Sequence, residues 1–282
     1  MPVEPATAER AEELVHNYED IANQVSQATQ RRGPGTQPRL VVVTKLKPSS
    51  DIKALYDHGV RHCGENYPQE LEAKAKEASH APRLGKRSWT LRLTCGPFLW
   101  RPIPNLFAIE TLTSVKAANH LESTLSSLSP PRSTPLNIFI QINTSGEEQK
   151  AGLPALSAAS DSDSSSSSSP NEVVDVAVHI LTQCPHLRLR GLMTIGSFDS
   201  STSAHPNPDF ERLKETRTAL LSALRGRDDV KDRVAELEHE AEGGLELSMG
   251  MSNDFVEAIE QGSTNVRVGS SIMGARPPRH AT

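Results

Sequence analysis

Hydrophobic positions along this chain switch repeatedly between helical spacing and continuous runs, and that switching predicts the architecture. Between residues 7 and 30, Leu14, Val15, Tyr18, Ile21, Ala22 and Val25 recur at helical spacing with charges between them, as in an amphipathic helix. The Gly- and Pro-rich stretch Arg31 to Pro38 breaks it. Leu40-Val41-Val42-Val43-Thr44 is then an unbroken β-branched run ending in Lys45, the pattern of a parallel strand buried on both faces. Ser50 is placed to cap a helix carrying Ile52, Leu55 and Tyr56, and Gly59 to stop it. A short strand, Val60 to Cys63, leads through the loop Gly64-Glu65-Asn66-Tyr67 to a helix opened by Pro68.

The alternation continues. Strands are expected at Leu106 to Glu110, Asn137 to Ile142, Leu189 to Ile195, Leu245 to Met249 and Asn265 to Val268. Between them, helices are expected from about Ser114, over Asn171 to Gln183 and over Asp209 to Leu224. That makes seven strands, with room for an eighth between Leu84 and Cys95, and a (β/α)8 barrel is the leading architecture. An open doubly wound sheet is the alternative, weakened because no G-x-G-x-x-G follows the first strand. Two segments stand outside this frame. Residues 155–171 hold six consecutive serines and read as a disordered insertion, and residues 226–244 read as a charged insertion with a solvated face.

Composition narrows the function. At 282 residues, with 36% hydrophobic residues and a mean hydropathy of -0.45, the chain reads as soluble and able to bury a large core. A net charge of -5 gives no global reason to bind nucleic acid or an anionic membrane. No apolar run reaches a membrane span and the amino terminus lacks signal-peptide character, so a cytoplasmic location is expected. Cys63, Cys95 and Cys184 are odd in number and far apart, which argues against a disulfide framework or a zinc site and for small buried hydrophobes.

The chemistry-bearing positions cluster at predicted strand ends. Lys45 follows the first strand, and a lysine among apolar neighbours there is suited to attack a carbonyl. Ser252 follows the Leu245 to Met249 strand, placed to cap the next helix, and Gly269-Ser270 opens another helix start after the last strand. Free N–H groups and small hydroxyls at two neighbouring helix starts make a phosphate cradle, in the loops where barrels most often hold phosphate. A lysine and a phosphate cradle across one barrel mouth suit a phosphorylated aldehyde, with pyridoxal phosphate the obvious candidate.

The motifs VVVTKLKP (41–48), HGVRHCGENYPQEL (58–71), PNLFAIET (104–111), INTSGEEQKAGLP (142–154), LRGLMTIGSF (189–198), NPDF (207–210), LELSMGMSNDF (245–255) and GSTNVRVGSSIMGAR (262–276) occur in that order. Through them the chain resembles the pyridoxal phosphate homeostasis proteins, single-domain relatives of the amino-terminal barrel of alanine racemase. The resemblance implies a single TIM barrel of that type with an extra amino-terminal helix. It implies that Lys45 holds pyridoxal 5'-phosphate as a Schiff base and that Arg267 faces the pyridine nitrogen. Ser252, Gly269 and Ser270 would hold the phosphate, and Asn66 and Met193 would line the pocket.

The same resemblance implies a monomer without catalytic turnover that buffers the cofactor or hands it to dependent apoenzymes, with no nucleic-acid or membrane partner. An arginine donates and never accepts a hydrogen bond, so it leaves the ring nitrogen unprotonated and the cofactor a weaker electron sink. Racemisation, the alternative, needs a second acid/base, which the racemases take from a carboxy-terminal β-domain; a chain ending at Thr282 is expected to lack one. A sugar-phosphate enzyme of the same fold is a third reading. One segment departs from the family. Across residues 82–104 the expected Trp-His-Phe-Ile-Gly strand and the Leu-Gln-x-Asn-Lys after it are replaced by a stretch without acids, including Arg83, Lys86, Arg87, Arg92 and Arg101. We read it as aberrant, the product of a mis-spliced or out-of-frame gene model, in preference to an anion-binding patch.

Overall fold

A computed structural model of the protein describes residues 4–79, 88–91, 103, 105–156, 172–197, 205–240 and 243–275. The apolar run after Pro38 forms β1 (Arg39–Val43), and each later run adds a parallel strand beside it. These are β2 (His62–Glu65), β3 (Ser88–Leu91), β4 (Leu106–Leu112), β5 (Leu136–Asn143), β7 (Leu187–Met193), β8 (Glu246–Ser248) and β9 (Asn265–Val268). Each of these eight pairs with two neighbours, and β9 pairs with β1, so the sheet closes into a barrel. A two-residue strand, β6 (Leu153–Pro154), extends β5 beyond the ring. The eighth stave falls where the sequence left room for it, at Ser88–Leu91. The rest of the aberrant stretch, apart from residue 103, and the serine run lie outside the described residues.

Helices cover the barrel. α2 (Ser49–His58), α3 (Pro68–Ser79), α4 (Val115–Ser126), α5 (Glu172–Gln183), α6 (Pro208–Arg225), α7 (Lys231–Glu240), α8 (Phe255–Glu260) and α9 (Ser270–Met273) follow their strands. The helix after β9 is a single turn, and α1 (Ala8–Arg32) takes the eighth helical place. Its buried Leu14, Ile21, Val25 and Ala28 pack with Val42, Leu55, Phe255, Ile259 and Val266. Thr7 caps it by accepting from Arg10 N.

Several boundaries differ from expectation for local reasons. Pro48, not Ser50, caps α2, because its backbone already holds the extended N-cap conformation and its carbonyl accepts from Asp51 N. Gly59 ends that helix as expected, at φ 120. β2 begins two residues late and takes in Gly64 and Glu65. A Cβ at Gly64 would lie 3.0 Å from Val41 Cγ1 of β1, tighter than ordinary contact, so a larger residue here would require the Val41 side chain to give way. β7 likewise spans 187–193 rather than 189–195.

The charged stretch 226–244 is not a solvated face. Val230, Val234 and Leu237, on or just before α7, are buried in the main hydrophobic cluster, because the charges occupy the other side of an amphipathic helix. Val234→Ala is therefore expected to destabilise the fold by about 1.5–3 kcal/mol in urea titration, where a solvated position would change it by less than about 0.5. Cys63 and Cys184 are buried free thiols, and burial pushes the Cys184 thiol up to about 11. No helix among the described residues is long and apolar enough to cross a membrane.

The amino-terminal end of the barrel is polar. Arg39, the first residue of β1, donates to Glu246 Oε2 at 3.0 Å, and Arg190 Nε donates to Glu246 Oε1 at 2.7 Å. Burial opposes ionisation of Glu246, but these two guanidiniums outweigh it and hold the carboxyl below its usual range. Arg39 also stacks 4.7 Å over the Phe107 ring, which His62 meets edge-on.

Burial, with the charge of Arg39, pushes the His62 imidazole from 6.5 down to about 4. Between those pH values the unfolded chain binds a proton that the folded one refuses, so stability falls as pH drops through that window. At pH 4.5 the loss from this group is about 2.5 kcal/mol. Urea midpoints at pH 7 and 4.5 are expected to show His62→Gln losing less than the parent by about that amount.

Candidate functional site

At the carboxyl end of the barrel, a cavity of about 380 Å³ opens between the loops after β1, β2, β5, β7, β8 and β9. Lys45, Asn66, Ser252, Arg267, Gly269 and Ser270 all line it. Met193 does not: it is fully buried in the barrel interior, packed with Ala108 and Phe139.

Lys45 reaches the cavity because the chain turns sharply after β1. Leu46 adopts φ 60, a left-handed conformation that costs a leucine energy and so needs support from its surroundings. The support comes from α3. Lys74 Nζ donates to Thr44 O at 2.8 Å, to Glu65 Oε1 at 2.8 Å and to Glu70 Oε1 at 2.7 Å, while Leu46 N donates to Glu70 Oε1 at 2.6 Å. Thr44 Oγ1 adds a bond to Glu65 Oε1 at 2.5 Å. This buried clamp fixes the residues on both sides of Lys45, whose own side chain is half-buried. Burial raises the Glu65 carboxyl above its usual range although Lys74 pulls the other way, and Glu65 Oε2 is buried with no partner among the described residues.

Arg267 sits opposite Val41 in the β9–β1 register. Its Nη1 donates to Ser248 Oγ at 2.5 Å and lies 3.8 Å from Glu110 Oε2, and Nη2 donates to Thr194 O at 2.7 Å. Ser248 Oγ donates to Glu110 Oε2, and Asn265 Nδ2 donates to Glu110 Oε1 at 2.7 Å. Burial pulls the Arg267 pKa down while Glu110 and Asp254 pull it up, and a guanidinium keeps its charge in either case. Arg267 Nε is buried without a partner among the described residues.

The expected cradle is built differently from two capped helices. Asp254, not Ser252, is the N-cap of α8, because Asp254 Oδ1 ties back to Met251 N and leaves Ser252 in the turn before it. Ser252 Oγ instead accepts a long 3.3 Å bond from Gly269 N, so one hydroxyl joins the loops after β8 and β9. A Cβ on Gly269 would lie 3.3 Å from Val43 Cβ, tighter than ordinary contact, so glycine keeps this wall thin. With α8 six residues long and α9 four, anion binding here depends on local N–H and O–H groups more than on helix dipoles.

Sequence reasoning missed Lys47, Lys150, Glu65 and Glu110, which also line the cavity. Lys47 lies two residues from Lys45, so closeness in the chain offered a signal. Its Nζ donates to Ala275 O at 2.7 Å, and burial with the nearby Arg10 charge lowers its pKa. Lys150, which donates to Gly196 O at 2.8 Å, enters from the loop after β5. It lies in the quoted motif INTSGEEQKAGLP (142–154), but no helix or strand periodicity singles it out there.

No family model matches the chain. The human pyridoxal phosphate homeostasis protein is 39% identical over 264 residues, covering 91% of this chain and 84% of that protein. A solved structure of PipY from Synechococcus elongatus with PLP bound has a TM-score of 0.57 at 24% identity, covering 90% of this chain and all of that one (100%). Alanine racemase from Corynebacterium glutamicum has a TM-score of 0.55 at 15% identity, covering 96% of this chain and 64% of the racemase. At those identities the two structures bear on the fold alone.

Proposed function

The chain belongs to the pyridoxal phosphate homeostasis protein family, and from that premise we infer that its carboxyl-end cavity binds pyridoxal 5'-phosphate through Lys45 and holds it without turnover. One observation carries the reading: Lys45, Arg267, Ser252, Gly269 and Ser270 line a single cavity of about 380 Å³. The residues fit the group. Arg267 Nε is a buried donor in need of an acceptor, which a ring nitrogen supplies. The Ser252 hydroxyl proton, the poorly bonded Gly269 N–H and the Ser270 hydroxyl are donors suited to phosphate oxygens.

When bound, pyridoxal phosphate supplies an aldehyde that condenses with a primary amine and a ring that withdraws electrons from the carbon so joined. Lys45 offers the amine, oriented by the clamp on Thr44 and Leu46. Arg267, anchored by Ser248, Thr194 and Glu110, presents hydrogen-bond donors but keeps its protons, so it does not protonate a ring nitrogen. The cofactor's capacity as an electron sink stays low, which supports holding over turnover.

The test is spectroscopic. Purified protein mixed with pyridoxal phosphate should develop a visible absorption band, borohydride should remove the band and fix the cofactor covalently, and peptide mapping should find it on Lys45. In deuterated water the loaded protein should leave the α-hydrogen of added alanine unexchanged; exchange would instead favour a racemase.

A further inference from the structure

We propose that the amino-terminal end of the barrel carries a second site, for a small oxyanion-bearing ligand (a phosphate or a carboxylate), built from Arg39, Arg61, Arg190 and His62. The four residues line a cavity of about 540 Å³ at the opposite end of the barrel from Lys45. Its lining holds three guanidiniums against one carboxylate, Glu246, among the described residues. That excess of positive charge, in a chain whose net charge is -5, is a local feature.

The site is ordered before any ligand arrives. Arg39 and Arg190 are fixed by Glu246, and Arg39 Nη1 donates further to Asn265 Oδ1 at 3.2 Å. Arg61 stacks 4.3 Å over the Tyr56 ring and donates through Nη1 to the carbonyls of Tyr56 and Val60. The 36–38 loop that walls the cavity is held by Arg32, which donates to Thr36 O at 2.8 Å and Ser263 O at 3.4 Å. Guanidiniums pinned in this way bind an oxyanion with little further loss of side-chain freedom.

His62 supplies the observation that points to a ligand. Its Nδ1 is buried and has no partner among the described residues, an expensive state for a ring nitrogen shielded beside the cavity that the residue lines. As the Nδ1–H tautomer the neutral ring is a donor, and an oxyanion held by the guanidiniums would accept from it once the ring turns its shielded Nδ1 toward the cavity. The Arg39–Glu246–Arg190 cluster alone has a structural explanation, since it closes the barrel floor. The unpaired imidazole nitrogen beside it does not.

The experiment titrates full-length protein with inorganic phosphate, and separately with malonate, while the ring nitrogens of 15N-labelled histidine are followed by NMR. His62→Gln identifies the His62 signals. A saturable shift of those signals is expected, weakened about tenfold in Arg190→Gln and in Arg61→Gln and unchanged in Lys45→Ala. Arg190→Gln leaves the Arg39–Glu246 pair in place, and Arg61→Gln serves if the first variant folds poorly. Saturation by phosphate alone or by malonate alone tells which oxyanion the site takes. Signals that do not move with either anion, or that move equally in the arginine variants, overturn the proposal and leave the cluster with a structural role only.

Discussion

Lys45→Ala protein is expected to fold and to show no visible band with pyridoxal phosphate, with borohydride fixing no cofactor to it. The folding half of that expectation follows from where the turn gets its shape. Thr44, Glu65, Glu70 and Lys74 hold the backbone on either side of Lys45, and truncating Lys45 to its Cβ leaves all of their bonds in place. The binding half follows from the loss of the only covalent attachment in the proposed mode, and apparent affinity should fall by roughly two orders of magnitude or more. Arg267, Ser252, Gly269 and Ser270 would still offer non-covalent contacts, so weak residual binding without colour is consistent with the reading. Two other lysines line the cavity, Lys47 and Lys150, and a persistent band trapped on either would show that the amine has been assigned to the wrong residue.

Glu110→Leu is expected to destabilise the protein by about 3–5 kcal/mol. Glu110 is 1% exposed and accepts from Asn265 and Ser248, and it lies beside a guanidinium that is itself 5% exposed. Removing the carboxylate strands the Arg267 charge in the barrel and unpairs an amide and a hydroxyl. Urea unfolding followed by circular dichroism measures the loss. In the Glu110→Leu, Arg267→Leu double variant the loss should be smaller than the sum of the two single losses, because no charge is left uncompensated. A loss below about 1 kcal/mol in the single variant would mean that water reaches the pair and that Arg267 owes its position to Ser248 and Thr194.

Continuous apolar runs and helical spacings made the strand and helix order legible because they report which sides of an element face the core, and burial decides that locally. The amphipathic face of α1, the β1 run and the Ser114 cap of α4 could all be read this way. The motifs brought Lys45, Asn66, Ser252, Arg267, Gly269 and Ser270 forward as a set, and the barrel places these six around one cavity. Met193, from the same set, lies beneath it, because at the last position of β7 its side chain packs inward on Ala108 and Phe139, while Ile195, Gly196 and Ser197 of the following loop reach the cavity.

Spacing cannot say which distant residue a polar group will meet. Lys74 reaches back 30 residues to Thr44 O, and Arg39 finds Glu246 across 207. The charged look of residues 226–244 concealed three buried side chains for the same reason: composition averages over a helix, whereas packing selects one face. The sequence by itself determined the alternation of strands and helices, the strand-end lysine and the family motifs, since each depends on near neighbours. Only closure of the barrel decided the clamp around Lys45, the Glu110–Arg267 network and the arginine-lined cavity at the other end, because these join groups that are far apart in the chain until β9 pairs with β1.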